Sequence, residues 1–264
     1  MSFVEIVLLG IIQGLTEFFP VSSSGHLVLF QNLFGLREPQ ILADVMLHVG
    51  TVISLLIFLR RDLVDLSRSL IRFAGAPKQK IKDPQIKILF YLLIASLPTA
   101  LIGYFFHDFF ISLFASLRAV GAALLITACF LFATRFARER GKETFLHPFL
   151  IGILQGAAIV PGFSRSGLTI GGALMLGWKR GTAARFSFLL SIPAILGAAL
   201  FELKTAEAAS LPWSLLLAGT AVAAITGYFA LVFLVRLINR GKFFSFAFYC
   251  FFAGAGALII SFFI

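Results

Sequence analysis

"QGLTEFFPVSSSGHL", from Gln13 to Leu27, lies between apolar runs yet carries a carboxylate (Glu17), three serines (Ser22, Ser23, Ser24) and a histidine (His26). Pro20 and Gly25 would break a helix that tried to cross it. A related stretch lies further along the chain. Sliding the sequence by 142 residues lays "LLGIIQGLTEFFPVSSSG" (Leu8–Gly25) on "LIGILQGAAIVPGFSRSG" (Leu150–Gly167) without a gap. Eight of these 18 positions are identical, including Gln13/Gln155, Gly14/Gly156, Ser22/Ser164, Ser24/Ser166 and Gly25/Gly167.

Composition sets the solvent around both stretches. Hydrophobic residues make up 59% of the 264, and mean hydropathy is +0.99, more than one soluble core could hide. Apolar stretches long enough to cross a bilayer recur near residues 42–59, 88–106, 118–135, 183–201, 213–236 and 243–263. The expected fold is an all-α polytopic membrane protein. Cys129 and Cys250 fall within apolar spans and read as small buried hydrophobes rather than a disulfide. The first apolar run leads straight into the polar stretch, so no cleavable leader is expected.

A net charge of +10 and a pI near 10.1 raise the question of nucleic acid, but the placement of the charges argues against it. Eight Lys/Arg lie between Arg60 and Lys87, four between Arg135 and Lys142, three between Lys179 and Arg185, and three between Arg236 and Lys242. The other inter-span segments hold only Arg37, Arg118 and Lys204. This is the asymmetry of a positive-inside topology, with anionic membrane lipids as the partner. The soluble piece is expected around the basic loop Ala74–Lys82.

With the basic clusters inside, the spans order themselves. Residues 42–59 run inward, 88–106 outward and 118–135 inward; 183–201 run outward, 213–236 inward and 243–263 outward. Residues 147–178 then start and end inside and are broken by "PGFSRSG" (Pro161–Gly167). Residues 1–41 start and end outside and are broken by "PVSSSGH" (Pro20–His26). Both read as re-entrant hairpins. Each leads three spans, the two enter from opposite sides, and residues 1–140 and 141–264 read as an inverted-topology repeat within one membrane domain. Irregular backbone at membrane depth survives only when buried in protein or lining a wet cavity, and ionisable groups there mark function. The two breaks are therefore expected to meet as halves of one site.

Arg165 offers a permanent charge and a planar fork suited to phosphate; a structural arginine capping carbonyls is the alternative. Gly162 and Gly167 would let backbone N–H groups approach an anion. A helix starting near Ser166 would point its positive end there, and Ser164, Ser166 and Thr169 would add hydroxyls. From the first hairpin come Ser23 and its neighbours as nucleophiles, His26 as acid or base, and Glu17 as base or metal ligand. Gln13 precedes Glu17 by four residues and shares its helix face. Asp44 and His48 repeat that spacing near the outer end of the next span, either lining the site or forming a structural pair. His107 and His147 sit at span ends and are assigned to the interface. This set suggests phosphoryl hydrolysis on a lipid, with water or Ser23 attacking.

"QGLTEFFPVSSSGHL" and "PGFSRSGLTIGG" resemble the two signature motifs of the undecaprenyl-diphosphate phosphatase family of the bacitracin-resistance type. The similarity extends over the chain, including "DVMLHVGTVISLLIFLRRDL" (Asp44–Leu63) and "ARFSFLLSIPAILGA" (Ala184–Ala198). The resemblance implies dephosphorylation of a C55 isoprenyl diphosphate to the monophosphate, recycling the lipid carrier of the bacterial cell wall. It also implies an acidic pair that includes Glu17, serine and histidine from Ser22–His26 with Gly25 between them, and a phosphate side from Ser164–Gly167 and Thr169. A divalent cation, Mg²⁺ or Ca²⁺, comes with the family. Its first acidic position is Gln13 here, a poorer ligand, which shifts weight to Glu17 aided by Asp44. The implied location is the bacterial inner membrane, with the site open to the periplasm or exterior; a homodimer is compatible with the sequence. Type 2 phosphatidic acid phosphatases also use Ser-Gly-His and Ser-Arg blocks, but "SRSGLTIGGALMLG" lacks the His and Asp their pattern requires. A lipid-phosphate flippase or transporter is the competing class, since inverted repeats are transporter architecture.

Overall fold

The computed structural model describes residues 1–36, 40–75, 83–114, 116–141, 143–202 and 211–263. Residues 76–82 of the expected basic loop, and Arg37, Lys142 and Lys204 of the charge count, lie outside these. Among the described residues every regular element is helical: α1 (Phe3–Phe18), α2 (Ser23–Leu33), α3 (Ile41–Phe58), α4 (Arg60–Gly75), α5 (Pro84–Phe105), α6 (His107–Phe114), α7 (Leu117–Ala133), α8 (Leu146–Ala157), α9 (Arg165–Met175), α10 (Arg180–Glu202), α11 (Trp213–Asn239) and α12 (Phe246–Ile260). Short 3₁₀ turns, Thr134–Phe136 and Phe243–Ser245, extend α7 and precede α12. Six of these segments are long and apolar enough to cross a membrane: Ile41–Phe58, Pro84–Phe105, Leu117–Phe136, Arg180–Glu202, Trp213–Asn239 and Phe243–Ile260. The protein is a multi-pass membrane protein, and the spans fall where hydropathy placed them.

The interrupted segments behave as their prolines and caps require. A capping box opens α1: the Ser2 hydroxyl accepts from the Glu5 N–H (3.3 Å) while the Glu5 carboxylate accepts from the Ser2 N–H (2.7 Å). The helix stops before Pro20, whose ring pushes Phe19 into an extended conformation (φ −62°, ψ 142°). Ser22 turns the chain at φ 70°, and α2 begins at Ser23. In the second half α8 ends before Pro161, Gly162 turns at φ 96°, and Ser164 caps α9 through the Gly167 N–H at 3.1 Å. At 1.5 Å per residue, the 11 residues of α2 or of α9 extend only about 16 Å, half a hydrocarbon core.

Packing crosses between the halves. α1 lies along α11, and α8 lies along α5. Both contacts use a small-residue seam, Gly10 with Gly14 and Gly152 with Gly156. A Cβ on Gly14 would fall 2.7 Å from the Gly227 nitrogen, and one on Gly152 would fall 2.7 Å from Pro98 Cγ. α7 and α12 pair as closely, Gly121 against Gly254. α3 is tied to α11 by Thr220 Oγ1 donating to the Met46 carbonyl (3.0 Å) and Ser54 Oγ donating to the Ala224 carbonyl (2.7 Å).

The basic segments gather at one end. Arg185 pairs with Asp62 (2.7 Å) and donates to Gln85 Oε1 (3.0 Å), Arg180 pairs with Glu139 (3.4 Å), and Arg135 stacks over Phe244 at 5.4 Å. Two elements were not anticipated. Residues Arg60–Gly75 form an amphipathic helix, with Leu66 and Ser69 buried while Val64, Leu70 and Ile71 face outward; His107–Phe114 form a short helix after α5. Cys250 is buried as expected, but Cys129 is exposed: it sits on the outward face of α7.

Candidate active site

The two breaks touch. Ser22 is an N-cap by position, yet its hydroxyl makes no cap bond and instead accepts from the Gly162 N–H of the other break at 3.1 Å. Thr127 donates to the Gly162 carbonyl at 3.3 Å, so both backbone polar groups of this glycine are held. A Cβ on Gly167 would lie 3.2 Å from that of Pro20. Each half thus fixes the other's irregular backbone.

Glu17 is the hub. Near the C-terminal end of α1, its side chain is only 4% exposed and is ringed by donors from three further elements or turns. Oε2 accepts from Ser23 Oγ (2.7 Å) and from Gln13 Nε2 (3.0 Å), while Oε1 meets Arg165 Nη2 at 2.5 Å. His48 Nε2 stands 3.6 Å from Oε2. A buried charge needs such company, and this one has an ion-pair partner and two hydrogen bonds. His48 lies seven residues into α3, about 10 Å along it, so the cluster sits well inside the span.

The other candidate residues make these contacts. Ser23 is hydrogen-bonded to Glu17, not to His26. The His26 ring turns back, its Nδ1–H donating to the Ser22 carbonyl (2.8 Å), with Nε2 facing the Tyr249 hydroxyl of α12 (2.5 Å). Arg165 is paired with Glu17. The Gly162 and Gly167 amides are not free for an anion, because Ser22 and Ser164 already accept from them. The first-turn donors of α9 without an intrahelical partner are the N–H groups of Arg165 and Ser166. Thr169 points into the core, where its hydroxyl donates to the Arg165 carbonyl (2.8 Å) and lies 2.5 Å from Ser187 Oγ. Ser166 lies 3.2 Å from Ser164, and Ser24 lies 3.5 Å from Ser22. Gly25 packs beside the Ser22 hydroxyl, where a Cβ would meet it at 3.4 Å.

His48 and Asp44 divide. His48 joins the hub, its Nδ1–H donating to the Asp44 carbonyl at 2.8 Å, whereas the Asp44 carboxylate accepts from Gln31 at 2.7 Å. Away from the hub, His147 Nδ1 accepts from the Trp178 indole (2.9 Å) and His107 pairs with Asp108 (3.0 Å). Gln13 Oε1 is buried and, among the described residues, has no hydrogen-bond partner, so it adds a second hard oxygen donor beside Glu17. Among the described residues no group of three or more His, Cys, Asp or Glu is placed to hold a metal. Tyr249 was missed in the sequence, and Cys250 was read there as a buried hydrophobe and not as a neighbour of the break. Both touch the break, Cys250 Sγ lying 3.1 Å from the Pro20 carbonyl. The available signal was a lone phenol in "FAFYCFF", because a hydroxyl in an apolar span needs a partner.

The family described as "Bacitracin resistance protein BacA" matches residues 6–256. The undecaprenyl-diphosphatase of Desulfatibacillum aliphaticivorans is 46% identical over 99% of this chain and 100% of its own. That of Halothermothrix orenii is 42% identical over 99% of each, and that of Desulfosudis oleivorans 45% identical over 96% of this chain and 97% of its own. With the match running through both interrupted segments and all six span-length helices, the chain belongs to the bacitracin resistance protein BacA family.

Proposed function

We infer that the protein hydrolyses undecaprenyl diphosphate to undecaprenyl phosphate and inorganic phosphate. The family and the activity named for its relatives carry the reaction class. One observation supports the assignment of residues: Ser23 Oγ donates to Glu17 Oε2 at 2.7 Å while Arg165 meets the other oxygen. That is a nucleophile on its base, with a phosphate-binding cation alongside.

In this reading the diphosphate draws the Arg165 guanidinium onto its terminal phosphoryl oxygens, together with the free N–H groups at the start of α9. Glu17, released from the pair, takes the Ser23 proton as Oγ attacks the terminal phosphorus. The bond from phosphorus to the bridging oxygen breaks, and undecaprenyl phosphate leaves. Water then cleaves the phosphoserine, Glu17 returning its proton to the departing Ser23 Oγ as inorganic phosphate forms. Ser22, Ser164, Gly162, Gly167 and Thr169 hold the two loops in register.

A divalent cation, Mg²⁺ or Ca²⁺, fits as an ion shared with the substrate. Gln13 Oε1 and Glu17 would hold it from the protein side, with the remaining oxygens from the diphosphate, and it would neutralise phosphate charge. The inverted repeat is supported by the exchanged pairing, α1 with α11 and α8 with α5, and by the half-span lengths of α2 and α9. The gathering of Arg135, Arg180, Arg185 and α4 at one end supports that end as cytoplasmic in a bacterial inner membrane, against anionic lipid. The hub then opens toward the periplasm. A carrier is the weaker reading, since transport gives the Ser23–Glu17 bond nothing to do. Purified protein reconstituted with undecaprenyl diphosphate, with and without chelator, should release phosphate and lose that release on chelation. Lipid translocation without any phosphate release would reverse the choice.

A further inference from the structure

We propose that His48 is a third protein ligand of the divalent cation, so that the site takes first-row transition ions in preference to Mg²⁺ or Ca²⁺. This rests on the cation held by Gln13 and Glu17 in the reading above. The Asp44 carbonyl, 2.8 Å from His48 Nδ1, can only accept, so Nδ1 carries the hydrogen. In the neutral ring the lone pair then lies on Nε2. That nitrogen faces Glu17 Oε2 at 3.6 Å, and two electron-pair donors look at one another across a gap. A cation between them turns the opposition into two bonds.

The gap has the width that a shared ion requires. Nitrogen and oxygen ligands at about 2.0–2.2 Å from one ion lie about 3.3–3.6 Å apart at a tetrahedral angle. An imidazole whose other N–H is tied to a backbone carbonyl is also the usual form of a ligating histidine, since that bond fixes tautomer and ring plane. Gln13, whose Nε2 donates to the same Glu17 oxygen, brings a buried Oε1 with no partner among the described residues. The His48 side chain keeps 26% exposure against 4% for Glu17, so the cluster is open on the imidazole side, where diphosphate oxygens or water can complete the shell. Ca²⁺ and Mg²⁺ favour shells made of oxygen alone; one imidazole among the donors moves the preference toward transition ions. His26 offers no such position, because Ser22 and Tyr249 occupy both of its nitrogens.

The probe is Mn²⁺ added to the purified protein in detergent, with and without methylenediphosphonate, a diphosphate analogue that resists hydrolysis. Pulsed electron paramagnetic resonance should show hyperfine coupling between bound Mn²⁺ and an imidazole nitrogen. His48→Gln, which puts an amide in place of the ring, should lose that coupling. It should also narrow the advantage of Zn²⁺ over Mg²⁺ in displacing Mn²⁺ by about 10–100-fold. His26→Ala should keep both properties. Bound Mn²⁺ without imidazole coupling in the wild-type protein would overturn the proposal, leaving His48 as a protonated partner of Glu17, and this result stands even if His48→Gln does not fold. Coupling that survives His48→Gln would overturn it equally. Failure to bind Mn²⁺ under either condition would bring down the cation reading and this proposal with it. No turnover enters the measurement, so its outcome is separate from whether phosphate is released.

Discussion

Glu17→Gln separates the pairing of the carboxylate with Arg165 from its proposed role as base. The side chain is 4% exposed and meets Ser23, Gln13 and Arg165. An amide of the same shape can still accept the Ser23 hydrogen bond but cannot take its proton. Losing a general base lowers kcat about 10²- to 10⁴-fold, with KM little altered if the substrate is held by Arg165. The substitution also strands the guanidinium. Breaking a buried pair costs about 3–5 kcal/mol, and the lower end applies here because the Arg165 side chain keeps 18% exposure. Arg165→Met strands the carboxylate instead, at a similar cost. The double variant Glu17→Gln/Arg165→Met removes both charges, so it should unfold at a higher temperature than either single variant while staying inactive. Phosphate release and thermal unfolding measured on the same detergent preparations decide the matter. A kcat within tenfold of wild type in Glu17→Gln refutes the base. A double variant no more stable than the singles refutes the buried pair.

Neighbouring serines should part company. Ser23→Ala should abolish phosphate release with stability nearly intact, whereas Ser22→Ala leaves the Gly162 N–H without its acceptor and should cost about 1–3 kcal/mol. Ser22→Gly should be the more stable of the two Ser22 variants because it relieves the φ of 70°, and the reverse order in thermal unfolding would remove strain from the account. Gly14→Ala should push α1 off α11 and destabilise by about 1–3 kcal/mol, while Gly197→Ala, with open space around it, should not; equal unfolding temperatures would show that the seam is loose. For topology, Val21 is a poor reporter at 4% exposure. Leu33→Cys, at a position 69% exposed at the end of α2, should react with a membrane-impermeant reagent from the periplasmic side in a Cys129→Ala background. Reaction only from the cytoplasm would invert the orientation.

The spans and both breaks were legible because each is a local statement, an apolar run or a proline with polar company. Ser23 and His26 were legible as candidates but not as partners. Their true contacts, Glu17 across the turn and Tyr249 more than two hundred residues away, depend on how the loop folds back. His48 showed only a four-residue spacing to Asp44, and nothing local tells that its Nε2 turns to Glu17 while the Asp44 carboxylate turns to Gln31. Gly162 and Gly167 looked like an open anion cradle because a sequence does not show which amides are already occupied. The helix Arg60–Gly75 was read as a basic cluster, since its charges are conspicuous and its apolar stripe, broken by Asp62 and Asp65, is not.

The seat of α1 on α11 also sets a clock for biogenesis. Phe18 ends α1 and Trp213 begins α11, so about two hundred residues must be synthesised before the first helix meets its partner. At roughly 5–20 residues per second, Glu17 waits on the order of 10–40 s in the translocon's surroundings with Gly10 and Gly14 uncovered. A nascent chain arrested after Glu202 should therefore leave the thiol of Ile6→Cys reactive, and release of the full chain, which buries position 6 against Gly219 of α11, should shut it off. The half of the site made first is the last to close.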